Sequence, residues 1–518
     1  MLEELAACLG EHDAASVAVK QVLAKFQFQV RDLTAQGRLA NREKSGGIGE
    51  TAELGNVAKI FELFEIQARR PDSRYPIFTY HRKFMRIQYN RVIGAEASRG
   101  DFAHASATMA VMIATIVIVG GGQAGAQAVD TLRREGFTQR LVLISDESVL
   151  PYQRPPLSKK FLSGEMAVER LLFRHRGFYD EHAVELKLGV RATHIEAAAR
   201  RVRLSNGEEI DYDRLLLCTG ALPRRMSCPG SNLASVNYLR TVEDAAAIAT
   251  GLQPGARVVI VGGGYIGLEI AATAREMGCA VAVLEMADRV MNRVVASRVS
   301  EYFEHEHRTQ GVKIICNTRV VRFEGTGRVE RVVCADGSMH PADLLVVGVG
   351  AIANTQVAAD ASLKCDNGIV VDEFCRTSDP AIFAAGDCSN FFSPRYQSRV
   401  RLESVDNAFE QSKAAALNML DRPMAYDRVP WFWSDQYDNK LLIAGLSSGH
   451  DQQLTRGDPA TRSFSICYLK GGELLAVEAI NHSKDYMAAR KLIAERFRPD
   501  LDKLANFQIA LKDSSGER

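Results

Sequence analysis

Two stretches of the chain show the same order of short apolar runs and longer runs with helical periodicity. The first has apolar runs at Thr115–Val119 and Leu141–Ile144, separated by a helical pattern that extends to Leu132. The second has apolar runs at Val258–Val261 and Ala280–Leu284, again separated by a helical pattern. Short apolar runs bounded by turn signals predict buried strands, so each stretch predicts a strand–helix–strand unit of a parallel sheet.

A Gly-x-Gly-x-x-Gly motif follows the first strand of each unit. The motif glycines are Gly120, Gly122, Gly125, Gly262, Gly264 and Gly267. The first glycine allows a tight turn, the second lets a pyrophosphate approach the helix N-terminus, and the third lets helix and strand pack closely. An acid ends each second strand, Asp146 at 146 − 120 = 26 positions and Glu285 at 285 − 262 = 23 positions, placed to accept from a ribose hydroxyl. Two such units predict two dinucleotides, and their pairing suggests a flavoprotein that takes hydride from a nicotinamide.

The apolar pattern also predicts that the two dinucleotide domains are nested. Further strand patterns are found at Val184–Leu188, Arg201–Leu204, Leu215–Leu217 and Leu344–Val347. From Asp343 the chain resembles the first domain again, with a buried strand that ends at Asp387 and a helix over Glu403–Leu420. The nicotinamide domain is therefore predicted to be inserted into the flavin domain.

The two ends of the chain have a different character. Strand patterns at Leu441–Ala444, Ser463–Leu469 and Leu474–Ile480, with a helical pattern over Tyr486–Arg496, predict a small C-terminal α+β domain. The first 111 residues show helical periodicity at Ala14–Phe26 and Val57–Ala68, and their second half is locally basic. A solvated surface or disordered arm is favoured there over a nucleic-acid-binding arm. Because Met112 immediately precedes the first strand, we expect an accessory extension or an upstream start codon.

These patterns give a division into domains. The predicted ranges are 1–111 for the extension, 112–217 and 345–425 for the two parts of the flavin domain, 218–344 for the nicotinamide domain and 426–518 for the C-terminal domain. The fold class is α/β, with two nested Rossmann-type domains and a C-terminal α+β domain.

Composition adds few constraints. The chain has 518 residues, 46% hydrophobic and 25% charged, with a formal net charge of +1, which gives no reason to expect a nucleic-acid or membrane partner. The longest apolar run, around Ala110–Val119, is shorter than the roughly 18 residues of a membrane span. The ten cysteines include no Cys-x-x-Cys pair, and the N-terminus lacks a basic secretory start, so a cytoplasmic location is expected. His305 and His307 suggest a metal, but i and i+2 lie on different helix faces, and no metal site is predicted.

Four motifs make the chain resemble a known family. They are Tyr152–Lys159, Gly262–Glu269, Ala385–Cys388 and Trp431–Tyr437. With these motifs, residues 112 to about 500 resemble the ferredoxin reductases of bacterial oxygenase systems, of the putidaredoxin and rhodocoxin reductase type. The resemblance implies FAD in the first domain, NADH in the second and a C-terminal domain that completes the flavin cover.

The resemblance also implies site residues. Those placed against FAD are Ala124, Asp146, Lys159, Ala192, Arg240, Asp387 and Val405. Asp387 would accept from the ribityl chain, and the helix that starts near Val405 would direct its N–H groups at the flavin pyrimidine. Lys159, at the start of a helix, would lie near flavin N5 with Glu269 as its partner, and Trp433 would lie over the flavin edge. The alternatives are a structural salt bridge for the pair and a plain core position for Trp433.

Two features of the sequence indicate which electron donor and which electron acceptor the protein uses. Glu285 would accept from the ribose of NADH and repel the 2′-phosphate of NADPH, although Arg289 and Arg293 lie nearby. The stretch Pro155–Leu162 lacks the cysteine pair of disulfide reductases, and Cys218 and Cys228 are interpreted as buried small residues. Electrons are therefore expected to leave directly from the flavin to a [2Fe–2S] ferredoxin, with the flavin converting a hydride into single electrons.

The expected function is an FAD-dependent NADH:ferredoxin reductase that feeds a cytochrome P450 or a ring-hydroxylating oxygenase. Alternatives are an NADH:rubredoxin reductase, an NADH oxidase, or a redox-sensing flavoprotein resembling apoptosis-inducing factor. Arg174 and Lys413 are candidates for docking an acidic ferredoxin, with an ordinary solvated surface as the alternative. A monomer or weak dimer is expected. The organic substrate of the pathway is not encoded, because the reductase does not touch it.

Overall fold

The structure is a computed structural model that describes residues 113–516. The helices predicted at Ala14–Phe26 and Val57–Ala68, the basic stretch that follows them and Met112 lie outside the described residues.

The described residues form helices and strands that alternate along most of the chain. The α-helices of residues 113–516 are α1 (Gln123–Arg134), α2 (Arg176–Glu181), α3 (Val242–Thr250), α4 (Tyr265–Glu276), α5 (Ser297–Thr309), α6 (Gln356–Asp360), α7 (Val405–Met419), α8 (Ser483–Ala494) and α9 (Leu501–Ala505). Short 3-10 turns are found at Pro155–Ser158, Val168–Arg170, Pro459–Thr461 and Leu511–Asp513. The strands are β1 (Thr115–Val119), β2 (Arg140–Ser145), β3 (Val184–Leu188), β4 (Ala192–Glu196), β5 (Arg201–Leu204), β6 (Glu209–Asp211), β7 (Arg214–Leu217), β8 (Ala221–Pro223), β9 (Val236–Asn237), β10 (Arg257–Val261), β11 (Ala280–Leu284), β12 (Lys313–Ile315), β13 (Val320–Glu324), β14 (Arg331–Cys334), β15 (Met339–Pro341), β16 (Leu344–Val347), β17 (Ala351–Ala353), β18 (Ile369–Val371), β19 (Ile382–Ala384), β20 (Ser389–Ser393), β21 (Ser398–Val400), β22 (Trp431–Gln436), β23 (Asn439–Gly445), β24 (Gln452–Asp458), β25 (Ser463–Lys470) and β26 (Glu473–Ile480).

Two parallel sheets confirm the predicted fold class. The first has the strand order β19-β7-β1-β2-β3 and the second has the order β12-β11-β10-β16-β9. Strand β19 returns to the first sheet after the whole second sheet, pairing in parallel with β7, so the second dinucleotide unit is nested within the first. Buried apolar runs such as Ile116–Val119 fit strands that are covered on both faces.

One strand belongs to a different sheet from the one predicted. The sequence placed Leu344–Val347 at the return to the flavin domain, but β16 pairs in parallel with β10, with Val258 opposite Leu344. All four residues of β16 are buried, so an apolar run of this length fits either sheet equally well. The chain crosses back later, through the antiparallel pair β8 and β17. The predicted boundary between residues 344 and 345 therefore cuts the second sheet.

The C-terminal region is an antiparallel sheet covered by a helix. The strand order is β22-β23-β26-β25-β24, and α8 packs against β26 and β23. The three strands and the helix predicted here are confirmed with small shifts of their ends, whereas β22 and β24 were not predicted. Strand β22 contains both tryptophans and also contacts α4 and α7. It thereby lies where the three domains meet.

The apolar cores follow this division. One cluster surrounds the first sheet, whereas a second cluster joins the second sheet to β25 and β26 through residues such as Phe303, Phe464 and Ile480. The C-terminal sheet is therefore packed directly on the second dinucleotide unit. Within residues 113–516, no helix has the length and apolar character needed to cross a membrane.

Candidate functional site

The first glycine motif forms a turn between β1 and α1 in which two glycines are required by the protein itself. Gly120 has φ +120°, and a Cβ there would lie 2.1 Å from the carbonyl oxygen of Cys218. A Cβ at Gly125 would lie 1.9 Å from the carbonyl oxygen of Gly120. These glycines allow the turn and the close packing of helix on strand, as predicted.

The second motif repeats this geometry between β10 and α4. Gly262 has φ +104°, and its Cβ would lie 2.4 Å from the carbonyl oxygen of Gly348. A Cβ at Gly267 would lie 2.3 Å from the carbonyl oxygen of Gly262. In both turns, which are 142 residues apart (262 − 120), the first and third glycines therefore pack closely against backbone carbonyl oxygens.

The middle glycine of each motif is different. Gly122 and Gly264 have extended backbones that any residue can adopt, with φ −82° and −78°, and a Cβ at either would meet no atom within 4 Å. Among the glycines of residues 113–516, only these two combine open space with an ordinary backbone. Folding does not require glycine at either position, and the open space beside each backbone is available to a ligand that approaches the helix N-terminus. A pyrophosphate at each helix N-terminus fits, because the first turns of α1 and α4 have no side-chain cap.

The two acids lie at the strand ends where they were predicted. Asp146 follows β2, is exposed, and lies 3.5 Å from Arg191, the residue before Ala192. Ala192 is buried at the start of β4, so the structure brings it to the same end of the first sheet. Both residues therefore lie near the carboxyl end of the first sheet, where doubly wound sheets bind ligands.

Glu285 is held rigidly after β11. One carboxylate oxygen accepts from the N–H of Gly263 at 2.6 Å and the other accepts from the N–H of Ala287 at 2.8 Å. The guanidinium of Arg289 is occupied by the carbonyl oxygens of Val295 and Asn292 and by Ser300 Oγ, at 2.6–3.0 Å. Arg289 is therefore not directed at a ligand next to Glu285.

A cavity of about 600 Å³ brings together residues from all three domains. Its lining includes Gln123, Lys159, Glu269, Val405 and Trp433. Lys159, Glu269 and Trp433, the three predicted catalytic residues, therefore share one site. The cavity also meets the predicted position of the flavin pyrimidine, at the start of α7.

Lys159 and Glu269 form an ion pair in this cavity, with Nζ 2.5 Å from Oε2. Glu269 is buried and also accepts from Ser158 Oγ at 2.5 Å and from Ser434 Oγ at 2.7 Å. The prediction that Lys159 starts a helix is wrong, because it follows the 3-10 turn Pro155–Ser158 and donates its N–H to the carbonyl of Pro156. That tight turn directs the side chain of Lys159 toward α4.

A second polar cluster lies on the flavin side. Arg240 Nη1 is 3.6 Å from Asp387 Oδ2, and the carbonyl of Arg240 accepts from Arg154 at 2.6 Å. Arg154 is in turn paired with Glu147. Burial raises the pKa of Asp387, while the charge of Arg240 opposes this shift. Arg240 and Asp387 are therefore adjacent, as a shared ligand would require.

Val405 is the first residue of α7, as predicted. Ser404 caps the helix by accepting the N–H of Asn407 at 3.1 Å, and Ala124 lies behind it, 3.2 Å from a Cβ built on Gly386. Because the first N–H groups of a helix have no intrahelical partner, this end can stabilise negative charge in the cavity.

Strand β22 forms the wall opposite α4. Trp433 is half-buried beside Trp431, with ring centroids 5.5 Å apart, and Phe432 packs on Tyr265 at 4.6 Å. Tyr265 directly follows Gly264 of the second dinucleotide unit, and β22 also contacts α7 of the first domain, so the strand contacts both dinucleotide domains. No role was predicted for Tyr265, Phe432, Ser158 or Ser434, because each of them joins the site only through a contact between domains.

The remaining predicted residues lie outside the cavity. Arg174 pairs with Asp130 at 3.0 Å and lies over the ring of Phe178, while Lys413 is half-buried on α7. His307 is buried and bonded to Gln436 at 2.9 Å, whereas His305 is exposed on the other face of α5. The docking role of Arg174 and Lys413 remains a prediction.

The cysteines do not reach the cavity. Cys218 is buried as predicted, whereas Cys228 is only half-buried, because it lies in the loop that enters the second domain. The cysteines of residues 113–516 are all free, and none of them lines the cavity. The described residues therefore provide no thiol relay between the two dinucleotide units.

Family models match this architecture in two parts. Residues 114–412 match the pyridine nucleotide-disulphide oxidoreductase family, and residues 431–515 match the reductase C-terminal domain. The first match spans more than half of the chain, which therefore belongs to the two-dinucleotide oxidoreductases of this family.

Known proteins identify the branch. The chain is 40% identical to putidaredoxin reductase of Pseudomonas putida over 404 residues, which cover 77% of this chain and 96% of the relative. It is 41% identical to rhodocoxin reductase of Rhodococcus erythropolis over 399 residues, covering 77% and 93%. Within the family, the chain belongs to the ferredoxin reductases.

Solved structures agree with this assignment. The covalent putidaredoxin reductase–putidaredoxin complex matches with a TM-score of 0.75 and 40% identity, covering 77% of this chain and 97% of that chain. A ferredoxin reductase from Rhodopseudomonas palustris matches with the same TM-score and identity, covering 78% and 100%. The resemblance inferred from the four motifs is confirmed.

Proposed function

We propose that this protein is an FAD-dependent reductase that takes hydride from NADH and passes single electrons to a [2Fe–2S] ferredoxin. The observation that carries the proposal is the cavity in which Lys159, Glu269, Trp433 and the start of α7 meet between two pyrophosphate-binding turns. Bound FAD supplies the conversion of one hydride into two single electrons.

The residues around the cavity have distinct tasks in this proposal. Gly122 and the first turn of α1 hold the FAD pyrophosphate, and Arg240 and Asp387 hold the chain between pyrophosphate and ring. The N–H groups at Val405 would stabilise the negative charge that the flavin ring acquires on reduction. Asp146 and Ala192 hold the adenosine.

The nicotinamide dinucleotide is held by the second motif. Gly264 admits its pyrophosphate, and Glu285 accepts from the adenosine ribose. The two backbone bonds that fix Glu285 keep its charge in place, which supports NADH because a 2′-phosphate would be repelled. The occupied guanidinium of Arg289 removes one cation that could have offset this repulsion.

The electron acceptor follows from the relatives and from the site. The matched complex pairs its reductase with putidaredoxin, and the cavity here contains no cysteine that would direct electrons to a disulfide. A ferredoxin that serves a cytochrome P450 or a ring-hydroxylating oxygenase is the proposed partner. A cytoplasmic location is proposed because scattered free cysteines suit a reducing compartment.

The test is NADH-driven reduction of cytochrome c with a panel of [2Fe–2S] ferredoxins and rubredoxin. We expect rapid reduction only when a [2Fe–2S] ferredoxin is present, with NADH preferred over NADPH. A protein that consumes oxygen equally fast without a partner is an oxidase, and one that works only with rubredoxin is a rubredoxin reductase. A long-lived charge-transfer complex of the NADH-reduced flavin, without rapid turnover, would favour a sensor. Failure of NADH to bleach the bound flavin without air would reject all of these functions.

A further inference from the structure

A chain of buried hydrogen bonds extends from Glu269 into the C-terminal domain. Ser434 Oγ donates to Glu269 Oε1 at 2.7 Å, and Gln436 Nε2 donates to Ser434 Oγ at 3.2 Å. Gln436 Oε1 lies 2.9 Å from His307 Nε2, and His307 Nδ1 lies 3.2 Å from the hydroxyl of Tyr437. Ser434, Gln436 and His307 are all buried, so water does not replace these bonds.

The bonds all point in one direction. An amide oxygen only accepts, so His307 Nε2 must carry the proton that it shares with Gln436. The neutral ring then accepts at Nδ1, and Tyr437 donates to it. Each group therefore donates toward Glu269, and successive donors in such a chain polarise one another.

The protonation states fit this direction. Burial lowers the pKa of His307 and raises the pKa of Tyr437, so both groups stay neutral near pH 7. The hydrogen-bonded series of side chains from Tyr437 to Ser434 therefore carries no net charge. Its effect is to direct donors at the Glu269 carboxylate, whose other oxygen accepts from Lys159 and Ser158.

We propose that Ser434, Gln436 and His307 are positioning residues for the Lys159–Glu269 pair. They act through Glu269 and fix the rotation of its carboxylate, so that the ammonium of Lys159 is held in one place during hydride transfer. Three domains supply the groups: Ser158 and Lys159 come from the first, Glu269 and His307 from the second, and Ser434 and Gln436 from the third. The inference rests on the proposed function for the reaction that the pair serves.

A different result is expected if these hydrogen bonds have a purely structural role. A bond that only joins two domains would change stability when lost, and hydride transfer and NADH binding would change together or not at all. A positioning role would lower the rate of hydride transfer while leaving the KM for NADH nearly unchanged. The effect would also decrease with distance from Glu269, from Ser434 to His307 to Tyr437.

The experiment compares Ser434→Ala, His307→Phe and Tyr437→Phe in the FAD-loaded protein. Ser465→Ala is the matched control, because Ser465 is buried in the same sheet and its Oγ has no hydrogen-bond partner. The measurements are flavin bleaching by NADH without air, the KM for NADH, and the melting temperature. A further measurement is the rate at which an amine-reactive reagent modifies Lys159, followed by peptide mass spectrometry, which needs no turnover.

We expect Ser434→Ala to slow bleaching about tenfold, the effect of one lost hydrogen bond to a charged group. The KM for NADH should change less than about twofold, and Lys159 should be modified about tenfold faster, because the ammonium is held less firmly. His307→Phe should show about a threefold loss, Tyr437→Phe less, and Ser465→Ala none.

Bleaching by Ser434→Ala at the wild-type rate, or an equal loss in Ser465→Ala, would overturn the inference. If Ser434→Ala does not fold, His307→Phe gives the same contrast with the control. Bleaching and Lys159 modification need no ferredoxin, so they test the positioning role even if the panel of partners shows that the proposed acceptor is wrong.

Discussion

Replacing Gly264 by alanine separates cofactor binding from folding. Gly264 is the N-terminal cap of α4, with φ −78° and ψ 179°, and a Cβ there would meet no protein atom within 4 Å. The new methyl group would instead occupy the space through which a pyrophosphate reaches the helix N-terminus. Gly264→Ala should therefore weaken NADH binding while leaving the fold and the bound FAD unchanged.

The magnitudes follow from this geometry. Alanine is a poorer cap than glycine by up to about 1 kcal/mol, but it stabilises through the unfolded chain by roughly 0.4–1 kcal/mol. The net change in the free energy of unfolding should be within about 1 kcal/mol, which corresponds to a shift of at most about 4 °C in melting temperature. Loss of one hydrogen bond between the charged pyrophosphate and the helix N-terminus costs about 1.5–3 kcal/mol, so the affinity for NADH should fall roughly 10- to 100-fold.

The assay measures flavin content, melting temperature and the Kd for NADH of purified Gly264→Ala. The companion variant Gly122→Ala should lose FAD and colour, because the same methyl group then blocks the first turn. Gly516→Ala is the control, since its Cβ would meet only the backbone nitrogen of Asp500, at 4.0 Å. The reasoning is refuted if Gly264→Ala binds NADH within about threefold of the wild type, or if it loses FAD as readily as NADH.

Three further predictions concern charged groups. Glu285→Ala should raise the KM for NADH about tenfold, because one charge-assisted bond to the ribose is lost, and it should reduce the preference for NADH over NADPH. Steady-state kinetics with both nucleotides measure this, and an unchanged preference would contradict the role of Glu285. Lys413→Glu should slow ferredoxin reduction severalfold at low salt but leave ferricyanide reduction intact, since only the protein partner is steered by charge; equal loss of both would reject docking. Glu478 accepts from Tyr468 and from the N–H of Ala296, and burial raises its pKa to about 7. The folded state then holds a proton that the unfolded state has released, so the free energy of unfolding should fall by up to about 3 kcal/mol as pH rises from about 4.5 to 7. Urea titrations of Glu478→Gln should show a smaller dependence of the free energy of unfolding on pH. An unchanged dependence would show that another group is responsible.

Much of the site could be predicted because its determinants are local. A strand, a glycine turn and a helix are formed by neighbouring residues, so the spacing of Gly120, Gly122 and Gly125 defines the turn without knowledge of the rest of the chain. The strand patterns also carry the fold class, since buried parallel strands show as continuous apolar runs. The ion pair of Lys159 with Glu269 was predicted through the resemblance of the motifs around each residue.

Errors arose where two local patterns are equivalent. Leu344–Val347 is apolar at every position, and such a run has no polar face to indicate which sheet it joins, so its assignment to the first domain was wrong. Likewise, Pro155 and Pro156 indicate a turn, but they do not reveal that a 3-10 turn ends before Lys159.

The two dinucleotide turns, the acids that follow them and the nested order of the domains can be read from the sequence, because they depend on residues that are close along the chain. The tertiary structure is needed to show which glycines serve packing and which leave space for a ligand, since the atom that excludes a side chain at Gly120 belongs to Cys218. It also decided that Ser434 reaches Glu269, 165 residues away, to form a buried contact. Contacts of this kind depend on how separate domains pack, and no local pattern encodes the distance between them.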